Sequence, residues 1–136
     1  MNNEGLHVTE NTNTIITELK TPKDLETLLN DNTGLVIIKL TATWCGPCKK
    51  INPLVNAWFD KLVHEKITRV VLDIDDNIDL YGFYKKKRVV QGIPTLLAYY
   101  DENKHYIPDD ITSGSNENET NLFFDRCVEY VKDNYC

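Results

Sequence analysis

No run of apolar residues in this chain approaches the roughly 20 that a helical membrane span requires, which excludes an anchor of that kind. The opening segment, MNNEGLHVTENTNT, lacks the basic start and apolar stretch of a secretory signal, so a reducing, cytoplasmic setting is expected. Basic residues are in the minority: 15 Lys and Arg stand against 21 Asp and Glu, for a net charge of −6, which argues against a general nucleic-acid surface. The three histidines, His7, His64 and His105, are scattered without metal-ligand spacing. There is no internal repeat and no linker, and 136 residues make one domain that buries about 70% of its unfolded surface.

The pattern along the chain reads as alternating strands and helices. Residues 1–13 are polar and aperiodic and are expected to form a mobile tail, leaving one folded domain over 14–136. Alternation over 14–19 predicts a first strand. Thr21-Pro22-Lys23-Asp24 supplies an N-cap, a proline at the first helical position and an acid in the first turn, which predicts a helix over 22–29. The apolar run 35–41 predicts a buried second strand. Ile51, Leu54, Val55, Trp58, Phe59 and Leu62 then recur at helical spacing over 47–64, with Pro53 expected to bend that helix. A third strand is predicted over 69–74 and a loop with a short helix over 75–87. A fourth strand over 95–100 turns at residues 101–104 into a fifth over 105–112. After a polar loop, Leu122, Phe123, Cys127, Val128 and Val131 mark the inner face of a last helix. This order predicts an α/β fold: a central mixed five-stranded sheet flanked by helices on both faces.

Against that background Trp44-Cys45-Gly46-Pro47-Cys48 stands out. Two thiols separated by two residues can close and open a small disulfide. Cys45 falls where the second strand hands over to a helix N-terminus, whose free N–H groups and dipole favour an anion, so its thiol is expected to ionise more readily than a free cysteine. Cys48, one turn inside the helix, is expected to be more shielded. A bare CxxC also occurs in zinc ribbons, but a structural zinc site needs four ligands, and Cys127 and Cys136 do not form a second CxxC. No metal and no cofactor is implied. Cys127 fits the apolar face of the last helix as a buried thiol, and Cys136, the terminal residue, is expected to be exposed. The basic run Lys85-Lys86-Lys87-Arg88 reads first as a solvated helix end and second as a docking patch for acidic partners.

The whole of WCGPCK, with Pro53 further along the same helix and the later Gly92-Ile93-Pro94-Thr95, resembles the thioredoxin family. The resemblance implies the thioredoxin fold and a thiol–disulfide oxidoreductase that reduces protein disulfides. Cys45 would be the nucleophile and Cys48 the resolving thiol, with Gly46 and Pro47 tuning the couple. It also implies a cis Pro94 lying against the cysteines, with Gly92 and Ile93 binding an extended substrate strand and Trp44 contributing to the contact surface. Partners would be disulfide-containing proteins and an external flavoprotein reductase. Some positions depart from the family. Lys39 stands where a buried aspartate is usual, Thr41 where a second tryptophan is common, and Val71 where a partner lysine is frequent. A Lys39–Asp73 contact would restore a charge pair, so both residues are candidates for redox tuning. The alternatives are a disulfide oxidase or isomerase, and an interaction module built on the same fold with secondary redox activity.

Overall fold

The structure is a computed structural model that describes residues 14–136; the segment 1–13, expected to be a tail, lies outside the described residues. Among the described residues the strands are β1 (Ile15–Ile16), β2 (Leu35–Thr41), β3 (Ile67–Asp73), β4 (Thr95–Tyr99) and β5 (Asp110–Ser113). The helices are α1 (Pro22–Asp31), α2 (Gly46–Lys61), α3 (Ile78–Lys86) and α4 (Glu117–Tyr135). The strands form one five-stranded sheet in the order β1-β3-β2-β4-β5. β3 runs parallel to both β1 and β2, whereas β4 is antiparallel to β2 and to β5. The α/β class and the mixed five-stranded sheet agree with the sequence reading.

The reason β2 lies at the centre is legible in its residues. A strand covered on both faces reads as a nearly unbroken apolar run, and Leu35 to Leu40 are all buried. Side chains alternate between faces. Val36, Ile38 and Leu40 join Leu25, Leu29, Leu80 and Tyr84 on the face covered by α1 and α3. Leu35 and Ile37 join Ile51, Val55, Phe59, Phe123 and Phe124 on the face covered by α2 and α4. The same alternation puts Lys39 on the second face, beneath α2. Gly34 precedes the strand because a Cβ there would collide with the Lys66 carbonyl oxygen, which accepts from the Leu35 N–H at 2.7 Å.

Local signals account for most boundaries. Thr21 caps α1, its hydroxyl accepting from the Asp24 N–H at 3.2 Å while the Asp24 carboxylate accepts from the Thr21 N–H, a reciprocal cap worth about 1 kcal/mol. Three expectations are corrected. β1 is limited to Ile15–Ile16, because the chain leaves the sheet to reach α1 and the Leu19 N–H bonds the Asn77 side chain at 2.9 Å. β5 starts at Asp110 rather than 105: Asn103 donates to the Ile107 carbonyl and the Asp109 carboxylate, and these side-chain bonds close a loop over the stretch expected to pair. On α4 the inner face carries Phe124, stacked on Trp58 at 5.2 Å, whereas Leu122 is 47% exposed.

Candidate active site

The cysteine pair sits at the junction of β2 and α2, above the C-terminal edge of the parallel strands. After Thr41 the chain turns, with the Cys45 N–H bonded to the Ala42 carbonyl at 3.3 Å, and Cys45 becomes the N-cap of α2 in extended conformation. Pro47 occupies the first turn, where its missing N–H costs nothing. Cys45 and Cys48 are joined as a disulfide with their Cα atoms 5.2 Å apart. The Cys48 backbone N–H points at the Cys45 sulfur, 3.2 Å away. On reduction that N–H and the helix dipole both favour negative charge on Cys45. Cys48 is fully enclosed and Cys45 is 4% exposed.

A second loop closes over this pair. The Ile93–Pro94 bond is cis, and the Ile93 carbonyl oxygen lies 3.9 Å from the Cys45 sulfur. The Thr95 hydroxyl donates to the Gly92 carbonyl at 2.7 Å, and the Gly114 N–H donates to the Pro94 carbonyl at 2.9 Å, so the loop is tied both to itself and to the end of β5. An open groove of about 490 Å³ runs beside it, lined by Gly92, Ile93, Pro94, Ile111 and Ser113 among others. Lys85 contributes from outside by donating to the Gln91 carbonyl at 2.8 Å, while Lys87 lies over the rings of Phe83 and Tyr106.

Trp44 stands on the other side of the pair and is 62% exposed, so packing in the core is not its role. Its indole N–H donates to the Asp75 carboxylate at 2.8 Å. Asp75 is a contact that sequence reasoning missed. Parallel register pairs Thr41 with Asp73, which brings the turns after β2 and β3 side by side; that register is not visible in a single sequence. Asp73 shapes this second turn, its carboxylate accepting from the Asp75 N–H at 2.9 Å and its carbonyl accepting from the Asn77 side chain at 2.9 Å.

The expected Lys39–Asp73 contact is not formed. Lys39 is 5% exposed and sends its ammonium along the underside of α2 to the Asn56 side-chain oxygen at 3.2 Å. Burial lowers the Lys39 pKa from its ordinary value. The geometry follows from the register, in which Lys39 pairs with Val71 and points to the α2 face, while Asp73 is occupied two residues further along in its own turn. Asn52 and Asn56, the polar positions of α2 that meet this region, were also missed; their spacing of four on a helix with Cys48 was the available signal.

The remaining cysteines fall where expected. Cys127 is buried on α4 and Cys136 is exposed. Burial, aided by the Asp110 carboxylate and opposed by Arg126, pushes the Cys127 thiol up to about 12. Among the described residues no group of three or more His, Cys, Asp or Glu side chains is arranged to hold a metal ion. No helix among them is long and apolar enough to cross a membrane.

Comparison with known proteins agrees with this geometry. The family model for thioredoxin matches residues 16–123. The chain is 31% identical over 85 residues to Thioredoxin-2 of Saccharomyces cerevisiae, covering 62% of this chain and 76% of the yeast protein. It is 31% identical over 90 residues to the thioredoxin of Ictalurus punctatus, covering 66% of this chain and 77% of that one. The X-ray structure of Fasciola hepatica thioredoxin, 30% identical, superposes with a TM-score of 0.61 over 82% of this chain and 98% of its own. With the matched segment spanning both the CxxC pair and the cis-proline loop, the chain belongs to the thioredoxin family and is a thiol–disulfide oxidoreductase.

Proposed function

We propose that this oxidoreductase works as a protein disulfide reductase in which Cys45 attacks and Cys48 resolves. The observation that carries the reading is the N-cap position of Cys45, with the Cys48 N–H directed at its sulfur and the Ile93 carbonyl 3.9 Å away. In the reduced protein the Cys45 thiolate attacks one sulfur of a substrate disulfide. A mixed disulfide forms and the other substrate sulfur leaves with the electron pair. Cys48 then loses its proton and attacks Cys45. The first substrate sulfur is released as a thiol and the Cys45–Cys48 disulfide is restored, so two electrons have passed from the chain to the substrate. An external dithiol returns them, and a flavoprotein reductase in a cytoplasmic setting is the donor that fits a reducing member of the family.

The groove beside Gly92, Ile93 and Pro94 is the position at which an extended segment of the partner would lie, held by backbone pairing as an added strand. Trp44, fixed by Asp75, would close the opposite side. Gly46 and Pro47 leave the first turn of α2 free of side chains that would interact with the thiolate. Lys39 would tune the couple from below through its charge, and Asp73 would act only through the turn that carries Asp75. The test is reduction of insulin by the protein with dithiothreitol, together with a Cys48→Ser variant exposed to protein disulfides. Turnover by the parent and accumulation of mixed disulfides on Cys45 are expected. Parent protein without turnover would leave the fold as a binding module.

A further inference from the structure

Reduction creates a difficulty inside this protein that the oxidised structure already prepares for. Cys48 is wholly enclosed. As part of a disulfide its sulfur carries no proton, but as a thiol it becomes a buried donor, and buried donors are rarely left without an acceptor. One turn further along α2, the Asn52 side-chain oxygen is shut off from solvent and has no donor among the described residues. Cys48 and Asn52 are four residues apart on one helix, so they lie on the same stripe, about 5–6 Å apart at Cβ. Helical side chains also lean toward the N-terminus, which carries the Asn52 amide over the turn that bears Cys48. Asn56, four residues on, is already engaged by Lys39. The oxidised protein therefore holds an acceptor without a donor, one helical turn from a residue whose sulfur gains a proton to donate on reduction.

We infer that Asn52 is a positioning residue for Cys48: its carbonyl oxygen accepts the Cys48 S–H in the reduced protein and in the mixed disulfide, which holds the resolving thiol neutral until it is needed. The inference rests on the assignment of Cys48 as the resolving thiol. The electron count is that of the proposed reaction. An external dithiol is oxidised to its disulfide, the Cys45–Cys48 bond breaks, Cys48 keeps one proton and Cys45 is left as thiolate or thiol. A hydrogen bond donated by the neutral thiol disfavours its ionised form, so Asn52 raises the Cys48 pKa and stabilises the reduced state. It also favours reduction by ending the isolation of a buried acceptor.

The experiment compares Asn52→Ala and Asn52→Asp with the parent. Alanine suits the helix interior, so the first variant is expected to fold, and aspartate keeps an acceptor oxygen at the same reach. Two quantities are read: the thiolate titration of Cys48 in a Cys45→Ser background, and the equilibrium with glutathione in the intact pair. Asn52→Ala should move the Cys48 titration to lower pH. It should also favour the disulfide about tenfold, equivalent to ~30 mV. Asn52→Asp should hold the titration at or above the parent's pH. No change in Asn52→Ala, or an equal fall in both variants, would overturn the inference, since a merely structural residue has no reason to respond to the return of an oxygen. The assignment of Cys48 itself is tested separately by trapping on Cys48→Ser, so either can fail without the other.

Discussion

Cys45 and Cys127 have nearly the same exposure, 4% and 2%, yet their surroundings differ in sign. Cys45 caps α2, where a backbone N–H is directed at its sulfur and the first turn carries no acidic residue. Cys127 lies in the interior of α4, where its helix offers no free donor and where burial first, and then the Asp110 carboxylate, held by two bonds from Arg126 at 2.7 and 3.0 Å, raise its pKa. Exposure therefore says little about which cysteine reacts. What separates them is whether the protein supplies donors or a carboxylate to the sulfur.

The largest break of this comparison is exchange of the two residues' roles. Cys45→Ser should abolish insulin reduction, and Cys127→Ser should retain it, both read as turnover with dithiothreitol. Next in size is the charge beneath α2. Lys39→Asp gives the redox site a carboxylate neighbour of the kind Cys127 already has. An ammonium favours thiolate and hence the reduced pair, so its replacement should make the protein more reducing, by about 30 mV or ~1.4 kcal/mol, in equilibration with glutathione.

A third prediction uses the Cys127 pKa. Its thiol is held neutral to about 12 in the folded chain and ionises near its ordinary value when unfolded. Its contribution to stability is therefore fully present below that ordinary value and is lost as pH rises through 12, with a limiting slope of about 1.4 kcal/mol per pH unit. Denaturant unfolding of the parent and of Cys127→Ala between pH 8 and about 10 should show the extra decline only in the parent. The smallest effect belongs to Asp75→Ala. Loss of one hydrogen bond to an exposed indole, about 0.5–1.5 kcal/mol, should weaken capture of protein disulfides several-fold and leave reaction with a small disulfide unchanged.

Much of this contrast was legible before the structure. Cys45 at a strand-to-helix junction and Cys127 on an apolar helical face follow from periodicity, as does β2, while α1 follows from the capping signals of Thr21-Pro22-Lys23-Asp24. The missed contacts of Asp75 and Lys39 share one cause: they depend on which strand neighbours which and in what register. Asp75 meets Trp44 because Thr41 pairs with Asp73, and Lys39 reaches Asn56 because α2 crosses above it. The late start of β5 has a different origin, in side chains of Asn103 and Asp109 that bond locally and displace the ladder.

The most direct measurement is alkylation of the reduced protein near neutral pH, with each cysteine followed by mass spectrometry in a Cys136→Ser background that removes the exposed terminal thiol. Cys45 is predicted to be modified first and Cys127 to remain unmodified in the folded chain, despite their matching exposure. Labelling of Cys127 or Cys48 as fast as Cys45 would contradict the claim that the donors at the start of α2 create the reactive thiol.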